Sequence, residues 1–243
     1  MTRALIVGCK GEVGSALYRV LKPVYKETYG IDIDEKDAPE GFKPDIMHVC
    51  IRFSSDFFRI VNEYLSRFQP VLLDICSTVP PGTTAAFGSH AVHSTTRGAH
   101  PHLDAGLRAI PKHISGPKAE AVARYYRKAG IQCVTDPNPA TTEVLHLLNN
   151  IHYGVNLMFA DEAARICRAY GVDYTQYLIY TMTHNHGFTT LGHASKVRSV
   201  LTPPGGRIGG HCVTQSGEML ANHLVKNGGV APPLTAMLGA YNK

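Results

Sequence analysis

No apolar run in this chain of 243 residues approaches the roughly 20 residues needed to cross a bilayer, and the N-terminal apolar stretch is too short for a signal-peptide core. Cytoplasm is therefore the expected location. No C-x-x-C pair occurs among the six cysteines, and Cys9, Cys50, Cys76 and Cys133 fall at the ends of predicted buried strands. Reduced, packed thiols fit this better than a disulfide framework or a zinc knuckle. No basic run lies behind the net charge of +5, so the electrostatic footprint of a nucleic-acid binder is missing. A mild positive field still suits an anionic cofactor or substrate. With 44% hydrophobic and 18% charged residues, the chain has the composition of a soluble globular protein. It is long enough to bury a sizeable core in one large domain or two small ones.

The chain begins with its most informative stretch. Ala4-Leu5-Ile6-Val7 runs into Gly8-Cys9-Lys10-Gly11-Glu12-Val13-Gly14, and a helical pattern of Val13, Leu17, Val20 and Leu21 follows. That is strand, glycine turn, helix. Gly8 allows the tight turn, Gly11 lets bare backbone approach a pyrophosphate, and Gly14 lets helix and strand pack closely, so that the helix N-terminus faces the phosphate oxygens. A second strand over 27–33 delivers Asp32 about twenty residues on, where a carboxylate accepts both hydroxyls of an adenosine ribose and repels a 2'-phosphate. The expected cofactor is NAD rather than NADP, with Lys36 nearby as a cation that works against this preference. Lys10, Glu12 and Val13 are expected to line the same cofactor site.

Further strands are predicted over 46–51, 71–75, 91–93, 112–115 and 131–134, and helices over 55–68 and 118–128. Repeated strand, helix, strand builds a doubly wound parallel sheet of the Rossmann type, whose ligands sit at the carboxyl ends of its strands. Ile51 and Arg52 follow one such end, Ser77 and Thr78 another. This dinucleotide-binding domain is expected over 1–136. Asn138-Pro139 is a capping residue followed by proline, a good helix start, and an apolar stripe from Val144 to Cys167 continues to a stop at Gly171. A helix that long forms the spine of a second, all-helical domain over 137–243 and part of a homodimer contact. Other helices are expected over 174–183, 217–227 and 233–241.

Ser77-Thr78-Val79-Pro80-Pro81-Gly82-Thr83-Thr84 resembles the S-T-V-P-P-G-T-T element of the UDP-glucose/GDP-mannose dehydrogenases. The resemblance implies an NAD-dependent enzyme that oxidises a sugar-nucleotide alcohol, with Thr78 near the nicotinamide end of the cofactor. It extends to two more segments. Glu143, His146 and Asn150 share one helix face where the family has E-x-x-K-L-x-x-N, and Gly209-Gly210-His211-Cys212 is similar to the family's G-G-x-C, whose cysteine forms a thiohemiacetal with the aldehyde intermediate. Carried over, Cys212 is the nucleophile, His146 the acid/base in place of the family's lysine, and Asn150 a hydrogen-bond anchor. Glu143, Arg97 and His100 are placed against the substrate.

Blander readings stand beside these. In these Cys212 is a packed thiol, Arg97 a surface ion pair, and His146 an interface residue on an amphipathic helix; for Cys212 the nucleophile is the preferred reading. The loop holding His93, His100 and His102 lacks the carboxylate or thiolate company of a metal site, so no metal is expected there. Gln215 and Ser216 stand where the family carries Lys and Asp, and Thr96 where it carries Glu. The resemblance implies a minimal form of the family, without its C-terminal nucleotide-binding domain. Hydride transfer at the domain junction is the expected chemistry. The alternatives are single-step oxidation of a hydroxy acid without covalent catalysis, and NAD binding without turnover.

Overall fold

The computed structural model describes residues 2–36, 38–208 and 212–242, with backbone alone at 35 and 36. It divides into two units, Met1–His146 and Leu147–Lys243. In the first unit, β1 (Ala4–Val7), β2 (Thr28–Asp32), β3 (Glu35–Lys36), β4 (Ile46–Val49), β5 (Leu72–Ile75), β6 (Ala91–Ser94), β7 (Lys112–Ser115) and β8 (Cys133–Asp136) form one sheet in the order β3-β2-β1-β4-β5-β6-β7-β8. The run β2-β1-β4-β5-β6 pairs in parallel, as do β7 and β8, while the short edge strand β3 runs antiparallel to β2. The chain leaves β1 on one side and returns to β4 on the other, so the order reverses beside Gly8. Doubly wound sheets bind their ligands at that crevice.

Alternate residues of β1 feed opposite faces, as a pleat of period two requires. Ala4 and Ile6 pack under α1 (Glu12–Leu21), α3 (Leu103–Ala109) and α4 (Ala119–Lys128), in a cluster with Leu17, Leu107 and Val122. Leu5 and Val7 pack instead under α2 (Phe57–Phe68), with Val61, Phe68 and Phe87. Both faces are covered, which is why the strands read as apolar runs rather than alternations. Each fully buried Leu or Ile contributes about 2 kcal/mol.

Two features were not expected. The β6–β7 pair is antiparallel, with His93 opposite Ser115, so the sheet reverses direction at its sixth strand. The short helix α3 follows directly on the histidine-bearing loop, where no element was predicted; Leu103 and Leu107 are its buried anchors. The last strand also begins two residues later than expected, at Cys133, because Ile131 turns into the core after Gly130 at φ 77°.

α5 (Ala140–Ala169) runs for 30 residues, and Asn138 Oδ1 accepts from Ala140 N–H at 3.1 Å, the capping contact its sequence implies. In the second unit it is accompanied by α6 (Tyr174–Thr190), α7 (Val213–Lys226) and α8 (Pro233–Ala240) around a small core of Leu147, Ile151, Ile208, Leu220 and Leu238. α6 runs further than the predicted 183, and α7 starts four residues before the predicted 217. The second difference matters because it makes Cys212 the residue that caps a helix. No helix among the described residues is long and apolar enough to cross a membrane.

Candidate active site

Asp32 ends β2 and holds the glycine turn in shape before any ligand arrives. Lys10 N–H donates to its Oδ2 and Ile33 N–H to its Oδ1, both at 2.9 Å. Gly11 N–H donates back to the Gly8 carbonyl at 3.1 Å, and Gly8 N–H to that of Ile31 at 2.8 Å.

The glycines of this turn are there for different reasons. Gly8 sits at φ +82°, and a Cβ there would lie 2.6 Å from the Cys50 carbonyl oxygen. A Cβ on Gly14 would fall on the carbonyl oxygen of Gly8. The chain's own packing therefore demands both. Gly11 is otherwise: its φ is −68°, and the nearest atom to an added Cβ lies at 3.4 Å, an ordinary contact. No contact among the described residues requires a glycine here. Gly11 is also the N-cap of α1, with no side chain capping that end, so the first-turn amides face outward as an anion site does. Lys10, Gly11 and Glu12 are exposed around it, and Val13 is half-buried.

The other expected cofactor residues gather along the same edge of the sheet. Ile51 is half-buried after β4, its Cγ2 3.1 Å from where a Gly8 Cβ would be, and Arg52 is exposed. Ser77, buried after β5, donates from Oγ to the Val49 carbonyl at 3.2 Å, and Thr78 beside it is half-buried. Lys36 lies outside the residues whose side chains are described.

Glu143 does not face open space. It is 0% exposed, and its carboxylate accepts from Gly82 N–H at 2.6 Å and Thr84 N–H at 2.7 Å. Through these two contacts the residue expected against the substrate lets the first turn of α5 organise the proline-stiffened loop after β5. These partners are about sixty residues away along the chain, so no local pattern announces them.

His93, unassigned in the sequence beyond its place in a polar loop, is the hub of this region. It is 0% exposed. Its Nε2 lies 3.1 Å from the Ser77 carbonyl, which can only accept, so Nε2 carries the proton and Nδ1 accepts from Thr142 Oγ1 at 2.7 Å. Thr142 Oγ1 also meets Ser115 Oγ. A polar residue within an otherwise buried strand was the available signal. Burial, with the neighbouring His146 adding, pushes the His93 imidazole down to about 3.

His146 lies 6.1 Å from His93, ring centre to ring centre. It is half-buried overall, but its Nδ1 is buried and has no hydrogen-bond partner among the described residues. Burial lowers its pKa to about 4, and the cations of Lys112 and Arg97 push the same way. The fold therefore makes the ring a neutral group throughout the physiological range. Arg97 is itself anchored, donating from Nη2 to the Pro111 carbonyl at 2.5 Å. Lys112 is 2% exposed and donates from Nζ to the Thr95 carbonyl at 3.1 Å. His100 pairs with Glu12 at 2.9 Å on the exposed side of the glycine turn.

Both depressed histidines bind protons in the unfolded chain near pH 6.5 and refuse them in the folded one until about 4 and 3. Their contribution to stability is complete above pH 6.5 and is lost as pH falls toward those values. Urea melts between pH 7 and 4.5 should show stability dropping with a limiting slope of about 1.4 kcal/mol per pH unit for each histidine. His93→Gln should flatten that slope, and an unchanged slope would remove His93 from the account.

In the helical unit, Asn150 Nδ2 donates to Ser216 Oγ at 3.1 Å, and Ser216 Oγ donates to the Cys212 carbonyl at 2.6 Å. Ser216, the residue standing where an Asp was expected, is fully buried and ties Asn150 to the turn that carries the thiol. Cys212 is exposed at the N-cap of α7, where a helix favours negative charge. Gly209, Gly210 and His211 lie outside the described residues. A cavity of about 600 Å³ lined by Asp161, Arg165, Arg168 and Tyr174 also belongs to this unit. It opens one helix length away: eighteen residues separate Asn150 from Arg168 on α5, roughly 27 Å at 1.5 Å per residue. It is separate from the thiol turn.

No family model matches the sequence, and no curated protein matches it. Solved structures do match. A UDP-D-ManNAc dehydrogenase from Pyrococcus horikoshii superposes with a TM-score of 0.78 at 18% identity, over 99% of this chain and 68% of its own. A 3-hydroxyisobutyrate dehydrogenase from Mycobacterium tuberculosis gives 0.72 at 14% identity, over 98% of this chain and 91% of its own. A UDP-glucose dehydrogenase from Pyrobaculum islandicum gives 0.68 at 14% identity, over 100% of this chain and 68% of its own. The chain thus spans about two thirds of the two nucleotide-sugar enzymes and nearly all of the hydroxy-acid enzyme. At these identities the likeness is one of architecture: a Rossmann-type sheet followed by a helical region, the fold on which these dehydrogenases are built.

Proposed function

We propose that this chain is an NAD-dependent dehydrogenase that oxidises an alcohol carbon. The observation that carries the proposal is Gly11. A glycine that no contact among the described residues requires, exposed at a helix N-terminus whose cap residue offers no side chain, makes sense where a pyrophosphate must meet bare backbone. Asp32 supports NAD over NADP. Each of its oxygens holds one amide and keeps lone pairs for the ribose hydroxyls, while a 2'-phosphate beside it would be repelled.

NAD bound there would supply the hydride acceptor; the rest is the work of side chains. His146, neutral and with a ring nitrogen that has no partner among the described residues, takes the hydroxyl proton. A base this weak needs help, and the cations that depress it, Lys112 and Arg97, also favour the alkoxide that forms. They fill the electrostatic role that the resembled family gives to a lysine at the His146 position. Asn150 holds the thiol turn, and Cys212 adds to the aldehyde as nucleophile, the sulfur–carbon bond forming as the carbonyl π pair moves to oxygen, which takes up the thiol's proton to give a thiohemiacetal. A primary alcohol of a sugar nucleotide is the first substrate class, on the strength of the loop over 77–84 and the thiol segment. Self-association belongs to the same proposal, supported by Phe159, Ile166 and Tyr180, which are 60%, 52% and 74% exposed in the helical unit.

A single-step hydroxy-acid oxidation is the second reading. It is favoured by the uncharged Gln215 and Ser216 and by the chain's coverage of nearly the whole 3-hydroxyisobutyrate dehydrogenase. NADH absorbance on a panel of sugar nucleotides and hydroxy acids, with wild type and Cys212→Ser, separates the two. The first reading expects turnover of a sugar nucleotide that falls at least tenfold in the variant. Turnover of a hydroxy acid at an unchanged rate would establish the second instead, and no turnover on any of them would defeat both.

A further inference from the structure

Two polar residues interrupt the apolar strands on the face covered by α1 and α4. His48 of β4 and Asp74 of β5 are register partners, both 0% exposed, and His48 Nδ1 lies 2.8 Å from Asp74 Oδ2. Cys76, just past the end of β5 and 2% exposed, holds its Sγ 3.4 Å from the same oxygen. One donor atom from each residue falls within 4.8 Å of the others.

Each of the three also has an outer partner. Tyr125 OH lies 3.4 Å from His48 Nε2, Tyr126 OH donates to Asp74 Oδ2 at 2.5 Å, and Ser94 Oγ lies 3.5 Å from Cys76 Sγ. Asp74 Oδ1, in contrast, is buried with no hydrogen-bond partner among the described residues. A His–Asp ion pair accounts for the 2.8 Å contact. It accounts for neither the thiol alongside nor the unsatisfied carboxylate oxygen, which native interiors rarely tolerate.

We propose that His48, Asp74 and Cys76 form a binding site for a divalent transition-metal ion of the zinc class, set between β4 and β5. Imidazole, carboxylate and thiolate are the ligands such an ion takes, and ligand atoms at about 2.0 to 2.3 Å in tetrahedral array stand roughly 3.3 to 3.8 Å apart. The Sγ–Oδ2 spacing is already there, and Nδ1 and Oδ2 need to separate by roughly half an ångström. Tyr125, Tyr126 and Ser94 are placed as the outer hydrogen-bond partners that orient such ligands. The Cys50 thiol, which interacts with that of Cys76, is a further donor at hand. Entry of the ion displaces the protons that the imidazole and the thiol carry, so metal uptake weakens as pH falls. The site is independent of the cofactor proposal.

The test uses the untagged full chain, refolded from urea with one equivalent of Zn²⁺ or Co²⁺ and passed through gel filtration. About one equivalent of metal is expected to stay with the protein, the cobalt form showing a thiolate-to-metal charge-transfer band. Cys76→Ser and His48→Gln should each weaken retention tenfold or more, while Cys212→Ser retains metal as wild type does. If His48→Gln does not fold, Cys76→Ser, a near-isosteric change, decides alone. Folded wild type that keeps less than about a tenth of an equivalent, or retention unchanged in Cys76→Ser, overturns the proposal.

Discussion

Gly14→Ala should destabilise the protein by about 3 kcal/mol, enough to lower its melting temperature by roughly 10 °C. The added methyl has nowhere to go. It would fall on the carbonyl oxygen of Gly8 and within 2.8 Å of the carbonyl carbon, and Gly8 is itself fixed by its N–H bond to Ile31 and by the Cys50 carbonyl beneath it. Relief requires α1 to lift from β1, which loosens the contacts of Leu17 and Val20 in the core. Thermal denaturation followed by circular dichroism reads the effect directly. A variant melting within about 2 °C of wild type would show that the helix can shift at little cost, and the close packing of helix on strand would lose its explanatory role.

Gly11→Val, in the same turn, should do the reverse. The protein stays folded, because φ −68° and ψ 164° are ordinary for valine and the position is open to solvent. NAD binding should weaken about 100-fold, close to 2.7 kcal/mol, because the side chain occupies the space a pyrophosphate must enter. Titration followed by NADH fluorescence measures it. An unchanged Kd in a folded Gly11→Val protein would sink the cofactor proposal without touching the fold. Together the two variants separate a glycine the chain needs from one that a ligand needs.

Much of this was legible in the sequence. The glycine turn, Asp32 and the long helix announce themselves through local signals: apolar period, glycine spacing, and an Asn-Pro start. What stayed hidden is non-local. Periodicity does not encode strand direction, so the reversal between β6 and β7 left no trace. Glu143 reads as a favourable first-turn acid, and only the folded chain brings the amides of Gly82 and Thr84 to it. The lowered basicity of His146 left no mark on the sequence, because the burial and the two cations that cause it come from other elements. His48 and Asp74 sit within apolar runs, and their meeting depends on a register between β4 and β5 that neither segment specifies alone. The thiol turn was legible as a motif, but its tie through Ser216 to Asn150 was not.

The reversal at the sixth strand changes where a charge is to be sought. In β1, β4 and β5 the residues offered to the ligand edge come last in each strand. Because β7 runs the other way, beside Ser94 and the Thr95 that follows, it reaches that edge with its opening residue, and that residue is Lys112. A chain of this connectivity can therefore install a cation at its ligand rim from a position that any scan of strand endings would pass over.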